Sequence, residues 1–240
     1  PVYKNTVSST TGTLSGIDGL KKNSALRDEI NSGLDVIAKT NTMPDFTNRM
    51  FERGDGLAPG DKGFGITTAQ GLEGSYSFRG TDLQHTQWGD PLAYRRADGT
   101  PEGSTLRLNS NIYGSGHTLV HEFGHVIDEN VFKMIPTART NILNAIHSTP
   151  SWNSINIVYS KASQGYRDYL KNNNESIARA YTQYAAYKSG NKSFIDAVER
   201  QHPSSQIWNI HKMHPHWTRE EFEPIYKAFD EAFSVSGLQP

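Results

Sequence analysis

An α+β domain of two lobes is the fold class that the sequence predicts, on three observations. An amphipathic helix stands near the amino end, short strand-like segments fill a Gly-rich stretch from Gly54 to Gly116, and helical periodicity runs almost unbroken after His117. Helix, then strands, then helices within 240 residues read as one domain rather than as alternating strand–helix units. The expected division is a Ser/Thr-rich arm or linker over residues 1–15 and a single domain over 16–240. Within that domain, 16–133 make an N-lobe of a helix, a small twisted sheet and a second long helix, and 134–240 make a helical C-lobe.

Each element has its own signal. Leu26, Ile30, Leu34 and Ile37 recur at three- and four-residue steps, with Asn23 or Ser24 as cap, so one helix ends before Pro44. Ile66–Thr68, Tyr76–Arg79, Leu92–Arg96 and Thr105–Asn109 are the expected strands, punctuated by the Asp98–Gly99 turn pair. Leu119, Phe123, Val126, Ile127 and Val131 form one apolar helix face. Ile177, Ala178, Tyr181 and Ala185 form another, closed by Gly190. Phe222, Ile225, Tyr226, Phe229 and Phe233 form the last, opened by a Thr218–Glu221 capping box, with Pro224 either starting or kinking that helix.

Composition excludes several function classes. Lys+Arg of 24 against Asp+Glu of 25 gives a net charge of -1, which lacks the basic field that nucleic acid or an anionic membrane surface attracts. No run of about 18 apolar residues exists to span a membrane. Cysteine is absent, so disulfides, thiolate metal sites and a cysteine nucleophile are all impossible. Any metal must be held by imidazole and carboxylate. The chain starts at Pro1 rather than Met, and is expected to be a mature product or an excised domain.

His121-Glu122-Phe123-Gly124-His125 is an HExxH pattern on an expected helix. Four residues advance a helix by little more than one turn, roughly 6 Å, so both imidazoles leave one face and can converge on one Zn²⁺. Glu122 falls one position round, placed to act as general base towards water at the metal without ligating it. The apolar residues of this helix are expected to face away from the two histidines, with Gly124 keeping the substrate side small.

An open catalytic zinc site needs a third protein ligand. Asp128 and Val131 stand where the HExxHxxGxxH pattern requires glycine and histidine, and Gly80-Thr81-Asp82 precedes the helix instead of following it. Glu175 is the candidate, as the one glutamate between Glu129 and Glu199; Asp168 and Asp128 are the alternatives. Asp128 is also a candidate partner for a ligand, three residues after His125.

These residues resemble a known family. His121-Glu122-Phe123-Gly124-His125-Val126-Ile127-Asp128 is similar to the active helix of the anthrax lethal factor type of metalloprotease, and Glu175-Ser176-Ile177-Ala178-Arg179-Ala180-Tyr181 resembles that family's ExxAxA-aromatic helix. Secreted Pro-Pro endopeptidases share the plan. The resemblance implies a zincin-like gluzincin protease with one Zn²⁺ per chain, held by His121, His125 and Glu175, with Glu122 as base. It also implies a tyrosine shortly before the glutamate ligand that steadies the oxyanion; Tyr169 fits that spacing best and Tyr166 is the alternative. Ser176 and Ile177 depart from the family's aromatic pair, and Arg179 stands where it has an acidic residue.

The expected function is therefore a zinc endopeptidase acting on a protein or peptide, secreted or delivered into a target cell as a toxin or effector. The alternatives are a zinc hydrolase of a non-peptide amide and a zincin-fold binding or delivery module. Thr105–Asn109 is the expected edge strand on which an extended substrate pairs. His211, His214 and His216 read as a surface loop, and Tyr181, Tyr184 and Tyr187 as core or groove wall.

Overall fold

The computed structural model of the chain describes residues 24–41, 64–69, 74–77, 104–109, 115–200 and 216–238. By its contacts the chain divides into two compact units, Pro1–Ala38 with Thr42–Glu122, and Lys39–Asn41 with Phe123–Pro240.

Helix α1 (Ser24–Thr40), in the first unit as far as Ala38, buries Ile30, Leu34 and Ile37, the stripe its periodicity predicts, and carries Lys39 in its last turn, where the helix dipole favours a cation. Helix α2 (Ser115–Asn130) begins in this unit, and its first turn lies backbone to backbone against α1. A Cβ on Gly33 would stand 2.6 Å from the Gly116 carbonyl oxygen, so this crossing needs glycine on both helices.

The backbones of three short segments of the first unit also pair: β1 (Phe64–Ala69), β2 (Gly74–Ser77) and β3 (Ser104–Asn109). The order is β1-β3-β2, with β1 parallel and β2 antiparallel to β3. Thr105 pairs with Gly65 on one side and Ser77 on the other, and Leu106 with Ile66 and Tyr76. Thr105–Asn109 is therefore the middle segment and not an edge. Thr105 to Leu108 are paired on both sides, and Asn109 with Ala69 alone, which overturns the expected edge placement of this segment. Leu92–Arg96 and residues 1–15 lie outside the described residues.

The expectation of a two-lobed α+β domain with a twisted sheet does not hold. Residues described with their side chains are 85% helical, and none of them lies in a strand or sheet. The physical reason is where the core sits. Every described core residue belongs to a helix or to the short segments that begin and end one, so helix packing on helix supplies the burial that a sheet face was expected to share.

The second unit shows this directly. After α2 come a 3₁₀ turn (Phe132–Met134) and helices α3 (Pro136–His147), α4 (Pro150–Val158), α5 (Gln164–Lys171), α6 (Asn173–Ser189), α7 (Lys192–Arg200) and α8 (Arg219–Ser236). Their ends are set by local chemistry. The side chains of Thr149, Ser163, Asn172 and Thr218 accept backbone N–H bonds at the starts of α4, α5, α6 and α8. The Thr218–Glu221 capping box forms as its spacing predicts. Gly190 closes α6 in the left-handed region at φ 66°. Helix α8 starts five residues before Pro224 and continues through it; the exposed Glu220 carbonyl forgoes its partner there.

Helix α6 is the centre of this unit. Ser176 through Ala186 are buried without interruption, as happens when a helix is surrounded rather than laid on a surface. Phe123, Phe132, Tyr181, Tyr184, Phe229 and Phe233 pack into one aromatic cluster, with Phe132 edge-on to Phe229 at 5.6 Å and to Phe233 at 5.4 Å. Burying each such ring stabilises by about 1.5–3 kcal/mol. The Tyr181 hydroxyl donates to Asn41 Oδ1 at 2.9 Å, and that of Tyr184 to Asp230 at 2.6 Å, which satisfies both phenols of this cluster. Tyr181 and Tyr184 are thus core residues.

Helices α2 and α6 meet at Gly124. A Cβ there would lie 2.7 Å from Ala178 Cα and 3.0 Å from its carbonyl oxygen. Gly124 is buried against backbone, so it is a packing residue rather than the small wall of a substrate cleft. Gly124→Ala would gain about 1 kcal/mol in helix propensity but incur about 1–3 kcal/mol of overpacking against atoms that cannot swing aside. Urea unfolding of this variant is expected to show a net loss of about 1 kcal/mol; unchanged or higher stability would mean that the helices separate freely at this point.

Candidate metal centre

Helix α2 has a burial pattern suited to presenting ligands. Leu119, Phe123, Val126 and Ile127 are fully enclosed, and Val131 nearly so, as the apolar periodicity predicts; Val120 is enclosed as well. His117, His121, His125 and Glu129 recur every fourth residue and are only half-buried. Four-residue spacing keeps them on one stripe of the helix, and among the residues of α2 whose burial is described only this stripe and Thr118 are not buried. Glu122 sits off that stripe and is 6% exposed.

The partner of this face comes from α6. Asn172 caps that helix, its Oδ1 accepting from the backbone N–H of Asn174 at 2.9 Å and of Glu175 at 3.4 Å. Glu175 is consequently the third residue of the helix, in the turn where the helix dipole favours a carboxylate. Its Oε1 stands 3.4 Å from His125 Nε2. His121 precedes His125 by one turn of the same continuous helix, and ligand atoms of His121, His125 and Glu175 all lie within 4.8 Å of one another.

This group could hold a metal ion. Donors about 2.0–2.2 Å from a tetrahedral ion stand roughly 3.4 Å apart, which the His125–Glu175 pair already matches. Two imidazoles and one carboxylate also suit a borderline cation, and leave a fourth position for water or substrate.

The two other carboxylates considered for third ligand are placed differently. Asp168 is exposed on α5, with its Oδ1 accepting from Gln164 at 2.7 Å. Asp128 is buried and held by Arg139 of α3, whose Nε donates to Oδ1 at 2.7 Å and whose Nη2 donates to Oδ2 at 2.9 Å. The Asp128 carboxylate raises the Arg139 pKa and keeps that guanidinium charged. The same Nη2 donates to Asn174 Oδ1 at 2.9 Å. A second tie from α3 runs from His147 Nε2 to Asn173 Oδ1 at 3.2 Å. Neither Arg139 nor this brace is visible in the motif spacing.

Tyr166 and Tyr169 lie on α5, half-buried, with rings 6.3 Å apart and stacked. Both pack on the small core of Ile155, Tyr159 and Leu170. Burial there pushes the Tyr159 phenol up to about 12. Arg179, one turn beyond Glu175, ties α5 to α6: its Nη2 donates to the Leu170 carbonyl and, at 3.0 Å, to Ser176 Oγ. Burial lowers the Arg179 pKa, while Tyr169 and then Glu175 act most strongly in the opposite sense. This buried cation therefore has the α5 tyrosines and the α6 glutamate as its electrostatic neighbours.

His216 is buried, not part of a surface loop. His211 and His214 lie outside the described residues. Among the described residues, no helix is long and apolar enough to cross a membrane.

The Asn172 cap offers a test of how the glutamate is held. Asn172→Ala is expected to cost about 1 kcal/mol in chemical denaturation, since it removes the acceptor for two N–H groups of the turn bearing Glu175. A loss below a few tenths would mean that the turn is held by other contacts.

No family model, no curated protein and no solved structure matches this chain, so its chemistry has to be read from its own side chains.

Proposed function

We propose that the protein is a zinc-dependent endopeptidase with His121, His125 and Glu175 as ligands and Glu122 as general base. The observation that carries this reading is the convergence of three ligand atoms within 4.8 Å, on the two helices that bear the HExxH pattern and the glutamate. The resemblance of residues 121–128 and 175–181 to the lethal factor type of protease supports the same ligand set.

A zinc ion held by these residues would supply Lewis acidity towards a peptide carbonyl and towards water. The chain supplies the proton traffic. Glu122 follows a ligand directly and is almost wholly shielded from solvent, so its carboxylate takes the proton from the attacking water and returns it to the departing nitrogen. Tyr169 is assigned to donate a hydrogen bond to the carbonyl oxygen as it gains charge, with Tyr166 as the alternative.

Elemental analysis is expected to find one Zn²⁺ per chain in the wild type and none in His125→Ala. Glu122→Ala should retain the metal while peptide hydrolysis falls by about 10²–10⁴-fold, the usual effect of losing a general base. Undiminished turnover by a metal-replete Glu122→Ala protein would refute the mechanism.

The two tyrosines are separated by kinetics. Tyr169→Phe is expected to lower kcat by roughly 10²-fold with KM little changed, because an oxyanion donor acts in the transition state. If Tyr166→Phe alone loses rate, the donor is Tyr166.

A further inference from the structure

We infer that Arg139 is a positioning residue for the metal centre, a clamp that sets the separation of the two ligand-bearing helices. The inference rests on the metal reading above and extends it to a residue that touches no ligand. Arg139 lies on α3, yet its guanidinium bonds both α2 and the start of α6. On α2 it takes both oxygens of Asp128, three residues after His125, in a bidentate pair at 2.7 and 2.9 Å. On α6 it bonds Asn174, the residue before Glu175, at 2.9 Å.

The geometry follows from the guanidinium itself. Its five N–H donors lie in one rigid plane, so the two acceptors cannot shift independently. Asp128 is almost fully enclosed while Arg139 is one-fifth exposed, so the anchor is on the α2 side and the adjustable end reaches α6. A metal needs donors placed to within a few tenths of an ångström. The Gly124–Ala178 contact limits how closely α2 and α6 approach; the clamp limits how far the first turn of α6 can draw away from α2.

The test uses the full chain, Zn²⁺ as probe, and competition with a chromophoric chelator to read affinity, alongside the thermal midpoint of the metal-free protein. Asn174→Ala removes the α6 end of the clamp at an exposed position. It is expected to weaken Zn²⁺ binding by about 10-fold, the lower end of what indirect support of a ligand contributes, with an unchanged metal-free midpoint. Arg139→Lys keeps a charge beside Asp128 but cannot fork to both helices, and should weaken binding at least as much. Adding Asn174→Ala to Arg139→Lys should then cause little further loss, since both remove one link.

Val198→Ala, a core change on α7, is the control for general destabilisation. Wild-type affinity in folded Asn174→Ala and Arg139→Lys proteins would overturn the clamp and leave the metal reading standing. A loss in Val198→Ala equal to that in Asn174→Ala would also overturn it. If the wild type itself takes up no Zn²⁺, the metal reading fails and the clamp with it.

Discussion

Helices α2 and α6 cross with Gly124 against the backbone of Ala178 and the Cβ of Tyr181. Gly124 is adjacent to His125, and Ala178 is three residues after Glu175. A crossing this close brings the side chains flanking the contact within reach of one another, which is how His125 Nε2 comes to lie 3.4 Å from the Glu175 carboxylate. A larger residue at Gly124 would force the two axes apart at this point. Much of the second unit serves to hold that crossing.

The supports are of two kinds. Apolar packing encloses α6 on all sides from Ser176 to Ala186 and seats Phe123 beside Tyr181, with rings 6.1 Å apart. This term is large but not directional; it presses helices together without fixing rotation or register. Direction comes from polar contacts. The Asn172 cap fixes where α6 starts, Arg139 links its first turn to α2, and Arg179 links its second turn to α5. A buried guanidinium such as Arg179 is costly to desolvate, and bonds to the Leu170 carbonyl and Ser176 hydroxyl offset that cost.

The described strand-like segments and the histidine stripe of α2 differ in what they leave open. The segment Thr105–Asn109 lies between two others, with Thr105 to Leu108 paired on both sides. Among the described residues of α2, His117, His121 and His125 are half-buried on one stripe. Side chains, rather than an unpaired strand, line that stripe.

Much of the candidate site was legible without coordinates, because its signals are local. HExxH is a spacing on one helix, and helical geometry alone puts both imidazoles on one face. The apolar faces of α1, α2 and α8, the Thr218–Glu221 box and the Gly190 stop are likewise local, and the structure has them where periodicity and capping rules place them. Glu175 was reachable by elimination among few carboxylates, and the structure sets it beside His125 while Asp128 and Asp168 are engaged elsewhere. Tertiary structure decided what depends on residues far apart in the chain. It made Gly124 a helix contact, buried His216 and joined Asp128 to Asn174 through Arg139. It also replaced the expected α+β core with helices. Strand-like alternation in a Gly-rich stretch records a local preference. Which elements supply the core depends on what each packs against, and that is a property of the whole fold rather than of any window of sequence.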